Sequence, residues 1–227
     1  MPLRAVVFDF DGVIANSEPL HLRAFQEVLA GAGVPLSDAE YYARYLGFDD
    51  AGVFRTMRDD RAMDWTPADI DRFVALKASR MEILERHVSL LFPGAADAIR
   101  RLAAAVPLAI ASGALGVEIR RALDREQLTP FFAAIVAAED TSAGKPSAEP
   151  YLRAVEELGV AKGDRFRAGD CVAVEDSVWG LESARAAGLR TVAVTHTYPA
   201  AVLQAADLIV ESLHDLTFDV LDRLRSR

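Results

Sequence analysis

The sequence predicts an α/β fold, in which helices cover both faces of a parallel sheet and a helical insertion interrupts the alternation. Short apolar runs recur along the chain, and most are rich in the β-branched residues that strands favour. Longer segments rich in Ala, Leu, Arg and Glu separate these runs, as expected for repeated βαβ units. The predicted strands are Ala5–Phe8, Leu108–Ala111, Ala134–Ala137, Cys171–Val174, Thr191–Val194 and Asp207–Val210.

The span 15–90 differs from the rest because it contains several helix starts but no convincing buried strand. Ser37 and Thr66 each begin a pattern typical of a helix N-terminus. Residues 70–88 follow the spacing of an amphipathic helix, and the turn residues at 92–94 mark the return to the α/β part. We therefore predict two domains: an α/β core of residues 1–14 and 91–227, and a helical domain of residues 15–90.

The composition excludes several classes of protein. Hydrophobic residues make up 52% and charged residues 26% of the 227 residues, which indicates a globular chain. The net charge of −9 disfavours broad binding to nucleic acid or to an anionic membrane. The single cysteine, Cys171, excludes an internal disulfide, and its apolar neighbours predict that it is buried. The chain has no run long enough to span a bilayer and no signal-peptide pattern, so we expect a cytoplasmic protein.

The most informative motif is Asp9-Phe10-Asp11-Gly12-Val13, which directly follows the first predicted strand. Open parallel sheets bind ligands at the carboxyl ends of their strands, where Asp9 and Asp11 would project. Two neighbouring buried carboxylates repel each other, and a cation is the usual remedy. Oxygen ligands of this kind suit Mg²⁺, which often binds together with a substrate phosphate. A pair of acids capping a solvent-exposed turn is the simpler alternative.

Three later predicted strands also end in polar residues. Ser112-Gly113 could form a cradle for phosphate oxygens, although a lone serine there is more typical of a helix N-cap. Lys145 lies between a glycine and a proline and could neutralise a phosphoryl group, whereas most lysines are solvated. Glu175-Asp176 would complete a cation site, but acids also favour helix N-termini. Because all these residues end parallel-type strands, we predict that they converge.

Taken in order, these residues resemble the four motifs of the haloacid dehalogenase (HAD) superfamily. The matching motifs are D-x-D-G-V at 9–13, S-G at 112–113, G-K-P at 144–146 and E-D-S-x-x-G at 175–180. The resemblance covers essentially the whole chain, and the helical insertion resembles the small cap of the β-phosphoglucomutase-like branch. It implies a Rossmann-like core with an inserted all-helical cap domain. It also implies Mg²⁺-dependent hydrolysis of a phosphoric monoester through an aspartyl-phosphate intermediate.

The resemblance also implies roles for the site residues. Asp9 would be the nucleophile, and Asp11 would act as general acid and then as general base. Ser112, the Gly113 N–H and Lys145 would hold the phosphoryl oxygens. The implied magnesium ligands are the Asp9 carboxylate, the Asp11 backbone carbonyl, Asp176 and Glu175.

The cap domain is where we expect substrate selection. By the same resemblance, Ser17, His21 and Lys77 would lie near the general acid/base and the substrate. His21 could orient that acid, and a histidine hydrogen-bonded at a helix start explains the residue equally well. The mutase of this branch carries an arginine after the glycine of the first cap loop, where it binds a second phosphate. Here Gly47 is followed by Phe48-Asp49-Asp50, whose acids would repel a bisphosphate.

The sequence thus favours a phosphatase for a small phosphorylated metabolite, such as a sugar phosphate. The alternative is phosphoryl transfer of the β-phosphoglucomutase type, which would release no inorganic phosphate. Dehalogenation needs no acid at position 11 and no metal, so Asp11, Glu175 and Asp176 argue against it. A binding module without chemistry should have lost at least one of Asp9, Asp11, Lys145 or the second acidic pair, and none is missing. We expect no nucleic-acid or membrane partner, and the identity of the substrate and the oligomeric state stay open.

Overall fold

Six parallel strands form one sheet in the computed structural model, which describes residues 2–86 and 88–224. The order is β3-β2-β1-β4-β5-β6, so the chain leaves β1 towards one side of the sheet and later returns to the other. This is the doubly wound arrangement, in which ligands bind where the strand order reverses. The strands are β1 (Ala5–Phe8), β2 (Leu108–Ala111), β3 (Phe132–Val136), β4 (Cys171–Glu175), β5 (Arg190–Val194) and β6 (Leu208–Val210).

The predicted α/β fold is confirmed, and the strand bounds differ only locally. The predicted third strand included Ala137, but β3 ends at Val136 because the Ala137 N–H donates to the Asp140 carboxylate (2.9 Å) instead of to a neighbouring strand. The fourth strand extends one residue beyond its predicted end, to Glu175, which pairs with Ala193 of β5. This extension places an acid inside the sheet.

Nine α-helices accompany the sheet within the described ranges. Four lie in the predicted insertion: α1 (Glu18–Gly31), α2 (Asp38–Arg44), α3 (Asp50–Asp60) and α4 (Pro67–Glu85). Five alternate with or follow the strands: α5 (Ala95–Ala103), α6 (Gly116–Arg125), α7 (Glu149–Lys162), α8 (Val178–Ala186) and α9 (Phe218–Asp222). None of the described helices combines the length and the apolar character that a membrane span requires.

Both faces of the sheet are buried. Side chains alternate along a strand, so Ala5 and Val7 share one face, where they belong to a hydrophobic cluster with residues of α7 and α8. Val6 and Phe8 point to the opposite face and are equally inaccessible to solvent. Double burial explains why the strands read as continuous apolar runs rather than as alternating ones. Cys171 lies in the same cluster as Ala5, as predicted from its neighbours.

Backbone contacts divide the chain into two compact units, Met1–Asn16 with Leu90–Arg227, and Ser17–Ser89. The two connecting segments pair with each other inside the sheet unit. The Asn16 N–H donates to the Leu90 carbonyl (2.6 Å), and the Phe92 N–H donates to the Ile14 carbonyl (2.9 Å). These bonds explain why residues 15, 16 and 90 belong with the sheet rather than with the helices. The assignment of the units as catalytic core and cap stays a prediction.

The helical unit has an aromatic core of its own. Phe25, Phe54 and Phe73 are buried together, and Trp65 packs edge-on against Phe73 with ring centroids 4.9 Å apart. Ser37 and Thr66 are the N-caps of α2 and α4, as predicted. Thr66 forms a full capping box with Asp69, whereas Ser37 accepts from the Glu40 N–H. The predicted amphipathic pattern is less clean than the sequence indicates, because α4 ends at Glu85, before Val88, and its Leu76 and Ile83 are exposed.

Candidate active site

Three carboxylates meet at the carboxyl ends of β1 and β4. Asp9 follows β1, Glu175 ends β4, and Asp176 comes next. The parallel pairing sets Phe8 beside Val174, and the Asp9 N–H donates to the Val174 carbonyl (2.9 Å). One oxygen of each acid lies within 4.8 Å of the others, and all three residues are buried. The structure thus brings together the two acidic motifs.

The ammonium of Lys145 lies between two of these acids. Its Nζ donates to Glu175 Oε1 (2.6 Å) and forms an ion pair with Asp9 Oδ1 (2.9 Å). The Lys145 side chain is only 13% exposed, so the alternative of a solvated surface lysine is wrong. Burial opposes its charge, but the nearby Asp9 and Glu175 carboxylates outweigh that cost and raise the pKa of Lys145. Lys145 therefore stays a cation at neutral pH.

One ammonium does not balance three buried carboxylates. Burial, together with the charges of Glu175 and Asp176, raises the pKa of Asp9 to about 8, although Lys145 acts in the opposite direction. Burial likewise raises the pKa of Asp176 to about 6, against a hydrogen bond from Thr197. Without a further positive charge, Asp9 therefore holds its proton to a higher pH than an ordinary aspartate does.

Glu175 is held by four hydrogen-bond donors. Its Oε1 accepts from Lys145 and from the Tyr151 hydroxyl (2.7 Å), and its Oε2 accepts from the Asp176 N–H and the Ser177 hydroxyl (both 3.2 Å). A side chain at Gly180, in α8, would overlap the Glu175 carboxylate, so the glycine of the E-D-S-x-x-G motif leaves room for it. Neither acid is the N-cap of α8, because Ser177 takes that position and accepts from the Gly180 N–H.

Ser112 and Gly113 emerge at the same edge of the sheet as Asp9, because β2 pairs in parallel with β1. The predicted alternative, that Ser112 is an ordinary N-cap, is wrong: α6 begins only at Gly116. The Gly116 N–H donates to the Glu139 carboxylate (3.0 and 3.2 Å), which takes the place of a capping side chain. Ser112 itself is buried, whereas Gly113 is exposed.

Asp11 and Gly12 form the turn that follows Asp9 and Phe10. Asp11 is exposed, and its carboxylate lies outside the three-acid cluster found among the described residues. Gly12 has a φ of +76°, a conformation that only glycine adopts without strain. A Cβ at this position would also overlap the carboxylate of Asp176. The turn therefore brings the backbone directly against the second acidic motif.

Two residues of the loop after β5 complete the site and were not foreseen from the sequence. The Thr197 hydroxyl donates to the Asp176 carboxylate. His196 donates through Nδ1 to the Gly12 carbonyl (3.1 Å) and stacks on Phe92 with ring centroids 3.9 Å apart. The signal that could have found them was available, because β5 is a predicted strand and polar residues follow its carboxyl end.

The three predicted cap residues all lie in the helical unit. Ser17 immediately precedes α1, His21 lies in α1 and Lys77 in α4. Lys77 is 2% exposed, and its Nζ lies 2.7 Å from His21 Nδ1 and 2.7 Å from Asp50 Oδ1. Since an ammonium only donates, Nδ1 accepts and the ring proton is on Nε2. Burial and the Lys77 charge lower the pKa of His21 to about 4, so the ring is neutral.

A family model described as haloacid dehalogenase-like hydrolase matches residues 3–188. The match spans most of the chain and includes all four motifs. The chain belongs to the haloacid dehalogenase-like hydrolase family. The predicted family and the predicted hydrolase class are therefore confirmed.

Several relatives match most of the length of this hydrolase. The CbbY protein of Cupriavidus necator is 35% identical over 211 residues, which cover 87% of this chain and 80% of that protein. Hexitol phosphatase B of Escherichia coli is 31% identical over 227 residues, which cover 94% of each. The crystal structure of a CbbY mutant from Rhodobacter sphaeroides in complex with xylulose-1,5-bisphosphate superposes with a TM-score of 0.76. It is 26% identical, and the match covers 94% of this chain and 96% of that one.

HAD-like hydrolases generally use Mg²⁺, and the donor set found here fits that ion. Three buried carboxylates face a single ammonium, an imbalance that a divalent cation would remove. Because residue 12 is a glycine, it places no side chain against the Asp176 carboxylate. Hard oxygen ligands and excess negative charge are what a magnesium site requires.

Proposed function

We propose that this hydrolase is a Mg²⁺-dependent phosphatase, which hydrolyses a small phosphorylated metabolite through an aspartyl-phosphate intermediate. One observation carries the proposal: a buried carboxylate, Asp9, that a lysine and two further acids surround at the switch point of the sheet. Phosphoryl transfer depends chiefly on positioning and on charge neutralisation, and this arrangement offers both.

Asp9 is the proposed nucleophile. A carboxylate oxygen of Asp9 attacks phosphorus while the bond from phosphorus to the ester oxygen breaks, and Asp11 donates a proton to the departing oxygen. Asp11 then takes a proton from water as the water oxygen attacks phosphorus and releases Asp9. Lys145 and the Phe10 N–H (2.7 Å) both donate to Asp9 Oδ1, which fixes the orientation of the carboxylate. The exposed position of Asp11 suits a group that exchanges protons with solvent.

The phosphoryl oxygens are assigned to Ser112, the Gly113 N–H and Lys145. The first two emerge beside Asp9 from the neighbouring strand, and Lys145 already contacts the proposed nucleophile. Charge-assisted hydrogen bonds from buried donors stabilise the transition state more strongly than the same bonds in water.

The proposed magnesium ligands are the carboxylates of Asp9 and Asp176, the Asp11 backbone carbonyl and Glu175. When bound, the ion would neutralise phosphoryl charge and favour the ionised form of Asp9. Glu175 differs from the other proposed ligands because its two oxygens already accept hydrogen bonds from four protein donors. Asp176 instead receives its side-chain hydrogen bond from Thr197.

The proposed substrate class is a phosphorylated sugar or polyol. The names of two relatives support it: hexitol phosphatase B and the fructose-1-phosphate phosphatase YqaB of Escherichia coli. We assign substrate selection to Ser17, His21 and Lys77 of the helical unit, where the neutral His21 ring offers an Nε2–H donor. Hydrolysis is preferred to mutase chemistry because Gly47 is followed by Phe48-Asp49-Asp50, and not by the arginine with which the mutase binds a second phosphate.

The test is phosphate release from hexose phosphates, hexitol phosphates and phosphoglycolate by the parent and by Asp9→Asn. We expect Asp9→Asn to abolish turnover, since an amide cannot form the acyl phosphate, and EDTA to abolish it reversibly. Acid-quenched parent enzyme, reduced with borohydride, should contain homoserine at position 9. Asp59→Asn, at an exposed acid of α3, is the control and should retain full activity.

Substantial turnover by Asp9→Asn, or in EDTA, would contradict the mechanism. Conversion of a hexose 1-phosphate to its 6-phosphate without release of phosphate would instead favour the mutase alternative.

A further inference from the structure

Tyr151 carries a buried hydroxyl that lies inside the site. None of the four motifs assigns this hydroxyl a role. It lies near the start of α7, six residues after Lys145, and is 0% exposed. Its ring belongs to the hydrophobic cluster under the sheet, so packing alone accounts for an aromatic residue here. Packing does not account for the hydroxyl, because phenylalanine would fill the same space without a polar group to bury.

The hydroxyl binds the same oxygen that Lys145 binds. Glu175 Oε1 accepts from the Tyr151 hydroxyl at 2.7 Å and from Lys145 Nζ at 2.6 Å. The ring centroid of Tyr151 also lies 5.2 Å from that ammonium. Burial and the charges of Glu175 and Asp9 raise the pKa of Tyr151, so the phenol remains a neutral donor.

Lys145 has two acidic acceptors among the described residues, Glu175 and Asp9, and both draw on one positive charge. A second donor on Glu175 Oε1 satisfies part of the demand of that carboxylate without adding charge. The Lys145 ammonium is then less strongly held by Glu175, and its charge acts more strongly on Asp9 and on the phosphoryl group that Asp9 attacks.

We propose that Tyr151 is a positioning residue, whose hydroxyl holds Glu175 so that Lys145 stays directed at the nucleophile and the transferring phosphoryl group. The proposal rests on the roles proposed above for Asp9 and Lys145. Without the hydroxyl, the fully buried Glu175 loses one of four donors and draws Lys145 towards itself. Loss of the hydroxyl therefore raises the free energy of the transition state, where negative charge is highest, more than that of the bound substrate.

The test is Tyr151→Phe, which keeps the ring and its contact with the ammonium. We expect kcat to fall about tenfold with KM within about twofold, as for the loss of one hydrogen bond to a charged group that acts in the transition state. Calorimetric titration should show that affinity for orthovanadate, a trigonal-bipyramidal phosphoryl mimic, falls by a similar factor. The control is Tyr45→Phe, which removes another buried hydroxyl, 3.4 Å from Glu40 in the helical unit, and should change neither quantity.

A double-mutant cycle separates positioning from a structural effect. If Tyr151 acts through Glu175, Tyr151→Phe should weaken orthovanadate binding less in a Glu175→Gln background than in the parent. An equal loss in both backgrounds, or a kcat and an orthovanadate affinity within twofold of the parent, would overturn the proposal.

Failure of the underlying function would look different. If Asp9→Asn still turns over substrate, Asp9 is not the nucleophile and the proposed function is wrong, whatever Tyr151→Phe does. If Asp9→Asn is inactive and Tyr151→Phe is unchanged, only the role of Tyr151 is wrong.

Discussion

Gly12 shows how a single residue without a side chain can shape the candidate active site. Its N–H donates to the Ala15 carbonyl (2.9 Å), and its own carbonyl accepts from His196. The turn has a positive φ and brings the backbone of the first motif against the Asp176 carboxylate. Any side chain at this position would therefore disturb both the turn and the acid that we propose binds magnesium.

We predict that Gly12→Ala is far more damaging than Gly33→Ala. The two glycines have nearly the same φ, +76° and +74°, but a Cβ at Gly33 meets nothing within 4 Å. Gly33→Ala should lower the free energy of unfolding by about 1 kcal/mol, the strain of a left-handed residue. Gly12→Ala should add roughly 1–3 kcal/mol from overlap and lower kcat more than tenfold. Urea unfolding measures the free energy of unfolding, and phosphate-release assays measure kcat. Equal losses of stability and of kcat in the two variants would show that overlap with Asp176 does not matter.

At the scale of elements, strand ends were the most predictable part of this site. A short β-branched run predicts a buried strand from local sequence alone, and parallel pairing then places the residue after each strand at one edge. Asp9, Ser112 and Glu175-Asp176 follow from this rule without knowledge of the packing. Extending the same rule to β5 would have indicated Thr197, which donates to Asp176.

Contacts that depend on how a helix packs could not be predicted in this way. Tyr151 reads as an apolar position of α7, and its acceptor, Glu175, is 24 residues away in sequence. Whether its hydroxyl reaches Glu175 depends on the packing of α7 against the sheet, which local sequence does not specify. The same holds for Leu76 and Ile83, whose spacing predicts burial but which α4 leaves exposed.

The ammonium of Lys77 connects three of the helices of the Ser17–Ser89 unit, α1, α3 and α4. Lys77 of α4 contacts His21 of α1 and the Asp50 carboxylate at the start of α3, and it lies 5.0 Å from the Phe25 ring centroid. Its side chain is 3% exposed, and that of Asp50 is 30% exposed. A buried cation of this kind is tolerated only with its counterion in place.

We predict that Asp50→Asn destabilises the helical unit by about 2–3 kcal/mol, less than the loss of a fully buried partner because Asp50 is partly exposed. Trp65 reports on this unit, so urea unfolding followed by fluorescence in a Trp179→Phe background measures it. Asp59→Asn removes an exposed partner of Arg58 and should cost less than about 0.5 kcal/mol. Replacing Lys77 with methionine should make Asp50→Asn nearly neutral. If Asp50→Asn still destabilised the Lys77→Met protein by the same free energy, Asp50 would not act through Lys77.

For the whole molecule, the buried charges make stability depend on pH in two opposite ways. The ordinary pKa of Asp9 is 3.8 and its folded value is about 8, so between these values the folded state binds a proton that the unfolded state does not. Stability without metal therefore falls as pH rises towards 8, and Asp176 acts similarly up to about pH 6. The pKa values of His21 and His196 are lowered from 6.5 in the folded state. Below pH 6.5 the unfolded state therefore binds protons that the folded state does not, and stability falls as the pH falls.

Between pH 6.5 and pH 8 the carboxylates therefore set the slope. We predict that the Tm of the protein in EDTA decreases over this range, and that Asp9→Asn removes most of the decrease because an amide does not titrate. Added Mg²⁺ should raise the Tm of the parent more at pH 8 than at pH 6.5, since protons compete with the cation for the same oxygens. Asp59→Asn should keep the slope of the parent. Scanning calorimetry at matched ionic strength measures all four cases, and parallel Tm profiles for the parent and Asp9→Asn would show that Asp9 is already ionised in the folded protein without a metal.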